Sequence, residues 1–197
     1  MVHKTADRKG VQEYLGSAMR QQVSRGSLIS DQLRRDLRLG WPETEREPRE
    51  EPMDTIKPLY TATATAVGGR NGHTKSSDGI VSLDLSVPKE MVGPGKPGTA
   101  TPEHLFAAGY AACFDGAIDF VAKQHKQDAA NAQVTCAVSI GPRDGGGFGL
   151  AVKMRIEDKS LKQVELVNLV KEAHEKICPY SHATRNNVDV KFDVIGA

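Results

Sequence analysis

The chain has 197 residues and a formal net charge of +1, with 26 Lys and Arg against 25 Asp and Glu. That balance speaks against nucleic acid as the main partner, which takes a clear basic excess, and no apolar run approaches the roughly 18 residues of a membrane span. Three Cys in a chain with no export signal are not a secreted disulfide framework; they suggest a reducing, cytoplasmic setting where any disulfide is transient and catalytic.

Residues 1–52 differ in composition from the rest. The stretch RRDLRLGWPETEREPREEP is dense in both charge signs and holds the single Trp, Trp41. Two pieces, VQEYLGSAMRQQV and SLISDQLRRDLRL, suit marginal helices without the apolar surface for a core. This segment reads as a flexible or loosely docked extension. Met53 is a candidate start of the functional core, giving a domain over residues 53–197.

The core opens with strands. LYTATATAV, residues 59–67, mixes Thr with small and β-branched residues. A turn-rich loop, residues 68–79, carries Arg70. Val81, Leu83, Leu85 and Val87 then alternate with polar neighbours, the pattern of a half-buried strand. After a Gly- and Pro-rich loop, TPEHLF predicts a helix start: Thr101 as N-cap, Pro102 at the first helical position, Glu103 at the positive end. The helix extends to about residue 126. It is apolar almost all round, which predicts burial on most sides. A hairpin follows, with Val134, Cys136, Val138 and Ile140 sharing one face and Leu150, Val152, Met154 and Ile156 another. An amphipathic helix from Ser160 ends at Pro179, and Val188, Val190, Phe192 and Val194 form the last strand. Strand pairs joined by short loops make an α+β domain with antiparallel sheets.

The three thiols differ. Cys136, in phase with Val134 and Val138, reads as a buried hydrophobe. Cys113 sits among Ala and Gly, about three turns into its helix. An apolar site raises a thiol's pKa, so Cys113 is either inert packing or a nucleophile served by a cation from elsewhere. Cys178 ends its helix, where the dipole disfavours thiolate; that suits a thiol that reacts second. His174, Cys178 and His182 invite a metal reading, but Pro179 breaks the helix and no further Cys/His pair completes a tetrahedron. No metal is expected.

The segments LYTATATAVGGRNG, SSDG, TPEHLFAAGYAACF and CPYSHATRNN, in that order, resemble the organic hydroperoxide resistance proteins of the OsmC-like superfamily. The resemblance implies an OsmC-like fold, with antiparallel sheets around buried helices, in an intertwined homodimer whose subunits both shape each site. It implies a thiol-dependent peroxidase that reduces organic hydroperoxides to alcohols, with a lipoylated protein or small dithiol as reductant and no cofactor. Cys113 stands at the position of the peroxide-attacking cysteine and Cys178 at that of the resolving one. Arg70 and Glu103 match the pair that supports the first thiol, and Arg70 supplies the missing cation. Phe106, Tyr110, Phe114 and Met91 would form apolar walls favouring a greasy peroxide. Without the resemblance, Arg70 reads as a solvated loop charge, Glu103 as a capping acid and the aromatics as core. The alternatives are an OsmC-type peroxidase of broader peroxide preference and a thiol redox sensor without turnover.

Geometry adds one expectation. Glu103 and Cys113 are ten positions apart, which a continuous helix turns into about 15 Å. Both cannot touch one arginine from the same straight helix, so either the helix bends or Glu103 or Arg70 comes from the partner chain.

Overall fold

A computed structural model describes residues 55–197; the two marginal helices and the extension lie outside the described residues. Strands β1 (Ala64–Val67), β2 (His73–Ser76) and β3 (Ser82–Asp84) form an antiparallel sheet in that order. Helix α1 (Pro102–Gln124) follows, then the hairpin β4 (Gln133–Pro142) and β5 (Phe148–Glu157). Helix α2 (Gln163–Glu172) runs into a π turn (Ala173–Ile177), a short helix α3 (Pro179–Thr184) and strand β6 (Asp189–Ile195).

The hairpin register explains the core. Val134 faces Ile156, Cys136 faces Met154, Val138 faces Val152 and Ile140 faces Leu150. Alternation thus puts all eight apolar side chains on one face, where α1 packs across β4 and against α2 and α3. The α1 residues that meet them are Tyr110, Phe114, Ala117, Ile118, Val121 and Ala122, at helical spacing.

The α+β architecture is as expected, but the second sheet is mixed, not antiparallel throughout. Strand β6 pairs parallel to β5, with Val190 opposite Val152 and Phe192 opposite Met154. The reason is the crossover: a parallel neighbour needs a long connection, and α2, the π turn and α3 provide it. The first strands are shorter than their composition suggested. Leu85 lies beyond β3, fully buried, bridged in parallel to Ala100.

One expectation is extended and one corrected. The helical run stops before Pro179, as expected, with Cys178 extended; but its last stretch, from Ala173, is a π turn, and Pro179 then opens α3 at its first position, where a missing N–H costs nothing. And α1 is buried on one side only. Ala108, Ala112, Gly116 and Phe120, four residues apart, are exposed in the single chain. By length and apolar character α1 meets the requirement for a membrane span, although Asp115 and Asp119 interrupt the run; here it packs as the core helix of the domain.

Candidate active site

Arg70 is set by its loop. Gly68 and Gly69 both have positive φ, 78° and 58°, and a Cβ at Gly72 would sit 1.8 Å from the Val67 carbonyl oxygen. GGRNG is therefore the sequence that lets the chain turn sharply between β1 and β2 with Arg70 at the bend. The Asn71 side chain accepts the Val87 N–H at 3.0 Å and ties this bend to the next loop.

Glu103 is set by the start of α1. Thr101 accepts the His104 N–H at 3.3 Å, and the His104 ring accepts the Thr101 N–H at 3.1 Å, a reciprocal cap with histidine in the usual glutamate position. Glu103, in the first turn, takes the Arg70 guanidinium in a two-pronged pair: Nη1 to Oε2 at 3.0 Å and Nη2 to Oε1 at 2.7 Å. The hydrogen bonds from Arg70 hold the Glu103 carboxyl below its ordinary range and outweigh its partial burial. The same contact pushes the Arg70 guanidinium further up.

The second pair is Cys113 with Cys178. Their sulfur atoms are 3.5 Å apart. Cys178 is buried and Cys113 half-buried. Burial pushes the Cys113 thiol up, the Tyr180 backbone N–H donating to its sulfur works against this, and the neighbouring Cys178 raises it further. Cys178 lies at the junction of the π turn and α3, following one and preceding the other.

Within one chain the two pairs are separate. Helix α1 is continuous from Pro102 to Gln124, so Glu103 and Cys113 stand about 15 Å apart along it. Arg70 is not among the groups acting on Cys113.

The aromatic candidates divide. Phe106 is half-buried and lines a cavity of about 290 Å³ with Arg70, Pro102, Glu103, Ile140, Phe148, Gly149 and Leu150. Tyr110 and Phe114 are fully buried core. Tyr110 lies 3.0 Å from the hydroxyls of both Ser181 and Thr184, and Phe114 stacks on Phe192 with ring centroids 5.4 Å apart. Met91 sits in a short 3-10 turn after β3, half-buried and outside that cavity. Cys136 is half-buried on β4, and burial pushes its thiol up.

Sequence reasoning missed Ile140 and Leu150 as cavity walls, because alternation marks them only as core-facing, and Phe148, because it reads as part of the Gly-rich connection rather than of β5. It also missed Tyr180, whose ring lies 5.6 Å from Tyr110 and 6.0 Å from Phe106 and whose N–H reaches Cys113. No periodicity points to it. Among the described residues no cluster of three or more His, Cys, Asp or Glu is placed to hold a metal.

Comparison with known proteins places the chain in a family. The sequence model of the OsmC-like protein family matches residues 93–193. An organic hydroperoxide resistance protein of Xanthomonas axonopodis pv. citri is 50% identical over 135 residues, 68% of this chain and 93% of that protein. The organic hydroperoxide resistance protein OhrB of Bacillus subtilis is 44% identical over 137 residues, covering 69% of this chain and 98% of its own length. The crystal structure of OhrB superposes with a TM-score of 0.63 at 44% identity, covering 70% of this chain and 99% of that one. An organic hydroperoxide resistance protein structure from Legionella pneumophila gives 0.66 at 46% identity, covering 72% and 100%. The chain therefore belongs to the OsmC-like family, among its organic hydroperoxide resistance proteins.

Proposed function

We propose that the protein is a cysteine-based peroxidase that reduces organic hydroperoxides to alcohols. The observation that carries the reading is the 3.5 Å approach of Cys113 and Cys178, 65 positions apart in sequence, on a chain of this family. The Cys113 thiolate attacks the terminal peroxide oxygen, the O–O bond breaks, and the leaving alkoxide takes a proton to become the alcohol. Cys113 is left as a sulfenic acid, which condenses with Cys178 to a disulfide and water. A dithiol, on a lipoylated protein or free, reopens the bridge by exchange.

Arg70 is the cation that keeps Cys113 ionised, and Glu103 orients it. Because burial raises the Cys113 thiol within one chain and α1 separates the two pairs, the Arg70–Glu103 pair serves the Cys113 of a second copy in a homodimer. The single chain leaves suitable surface: Ala108, Ala112, Gly116 and Phe120 on α1, and Val67 and Leu83 on the first sheet with Val81 just before β3. Phe106, Ile140, Phe148 and Leu150 would hold an alkyl tail beside Arg70, while the core residues Tyr110 and Phe114 would only support α1 behind it.

Residues 53–197 form the peroxidase domain and residues 1–52 an extension outside it, working in the cytoplasm. The relatives support this division, since their nearly full lengths match about 70% of the chain.

Addition of one equivalent of an alkyl hydroperoxide, followed by quenching and mass spectrometry, tests the reading. One alcohol per protomer with oxygen first on Cys113 and then a Cys113–Cys178 bridge is expected. A bridge without alcohol would instead identify a redox sensor. Equal rates with hydrogen peroxide and an alkyl hydroperoxide would identify a peroxidase of broader preference.

A further inference from the structure

The π turn before Cys178 leaves a backbone group without its helical partner. In an α-helix the Cys178 N–H would donate to the His174 carbonyl, four residues back. Here it donates to the Ala173 carbonyl, at 2.9 Å. The residue one further on that a π pattern would use for His174 is Pro179, which has no N–H. A carbonyl orphaned at partial burial is costly unless another donor reaches it. Arg185 does: its Nη2 donates to the His174 oxygen at 2.5 Å.

The neighbouring polar atoms are otherwise unpaired. The Arg185 Nε is buried with no hydrogen-bond partner among the described residues, and so is Nδ1 of His174. The His174 ring is clamped edge-on against Phe192, centroids 4.8 Å apart. Burial, and then the Arg185 charge, push the pKa of that imidazole below its ordinary value. A buried donor left unpaired costs free energy, and the Nη2 contact with the His174 carbonyl is the one that offsets it here. π turns are rare and recur at functional sites. Reversion to an α turn would rotate whatever follows by roughly 100° about the axis and carry the Cys178 sulfur off Cys113.

We propose that Arg185 is a positioning residue for closing the Cys113–Cys178 bridge: by capping the His174 carbonyl it holds the π turn that aims Cys178 at Cys113. The step it serves is attack of the Cys178 sulfur on the Cys113 sulfenic sulfur. The S–S bond forms, the S–O bond breaks, and hydroxide leaves with the Cys178 proton as water. The oxidising equivalent is the alkyl hydroperoxide of the first step. The inference rests on the two-cysteine reading above.

The test uses the full chain and avoids peroxide. Titration with oxidised against reduced glutathione measures how readily the two thiols bridge, since one glutathione disulfide is reduced as the protein disulfide forms. For Arg185→Met, a fall of at least tenfold in the bridging constant is expected. Arg185→Lys, which restores a donor, should recover part of the loss. The rate at which iodoacetamide alkylates Cys113 should stay within twofold of wild type, which a general loss of structure would not allow. An unchanged bridging constant in Arg185→Met overturns the proposal. If that variant does not fold, Arg185→Gln, polar but too short to reach, decides in the same way. Failure of the peroxidase reading looks different: a wild-type protein that bridges with glutathione but releases no alcohol from a hydroperoxide.

Discussion

The sulfur atoms of Cys113 and Cys178 meet at 3.5 Å, one from the middle of α1 and the other from the junction of the π turn and α3. Two elements far apart in sequence are packed so that their thiols face each other, in contact and unbonded. A disulfide needs about 2.05 Å between sulfurs, so a modest shift closes it.

Replacing Cys178 separates the two halves of the reaction. Cys178→Ser should release one alcohol per protomer at the wild-type rate and then stop. Cys113 should accumulate as sulfenic and then sulfinic acid, because nothing nearby condenses with it. Single-turnover kinetics with mass spectrometry checks this; Cys113→Ser should release none.

The cation argument predicts a titration shift. Burial already raises the Cys113 thiol, and a neighbouring opposite charge offsets such an effect by about 1–3 pH units. Arg70→Gln should therefore move the midpoint of Cys113 alkylation upward by that much. The sign follows from the cation favouring thiolate: without it, less thiolate exists at any given pH, and hydroperoxide reduction at pH 7 falls by about 10- to 1000-fold. Iodoacetamide rates across pH measure the midpoint.

Mixing two inactive chains tests sharing of the site between copies. Cys113→Ser and Glu103→Ala proteins, unfolded and refolded together, should regain activity in the heterodimer, where one site combines an intact Cys113 with an intact partner Glu103. No regain would mean that each site is built from one chain. Ala112→Glu, placed on the exposed stripe of α1, should shift the sedimenting species toward monomer and lower activity with it.

The Arg70–Glu103 pair should make stability depend on acid in a defined way. Arg70 depresses the Glu103 carboxyl below its ordinary 4.5. The stabilisation is therefore complete above that ordinary value and disappears as pH falls through the lower, folded one. Its size is at most about 1 kcal/mol, because the Arg70 side chain is 38% exposed and solvent screens the pair. Urea unfolding of wild type and Glu103→Gln should differ by that amount at pH 7 and converge near pH 2.

Tyr110→Phe probes the seam between α1 and α3. It removes the hydroxyl 3.0 Å from both Ser181 and Thr184, and Ser181 is fully buried. The expected loss is about 1–3 kcal/mol in urea unfolding, the cost of a stranded buried hydroxyl. Bridge formation should slow with it, since α3 follows directly on Cys178.

Local chemistry made much of this protein legible without coordinates. Thr101 and Pro102 mark the start of α1 because a cap and a missing N–H have unambiguous positional meanings. The hairpin follows from strict alternation, since a one-residue slip would turn every apolar side chain to water. Arg70, Glu103, Cys113 and Cys178 stand out through the family resemblance alone; read without it, Arg70 is a solvated loop charge and Glu103 a capping acid, and their forked contact appears only in the fold. Only tertiary structure decided the rest. The parallel pairing of β6 depends on a crossover that no periodicity encodes. Pro179 signals a break, yet that a helix restarts there is seen only in the fold, where α3 packs on α1. The same holds for Tyr110 and Phe114, whose apolar character suits a substrate wall or a core equally, until packing against Phe192, Ser181 and Thr184 puts them in the core. A sequence specifies which groups attract; which of several compatible partners each one meets is settled only when all of them compete for the same space.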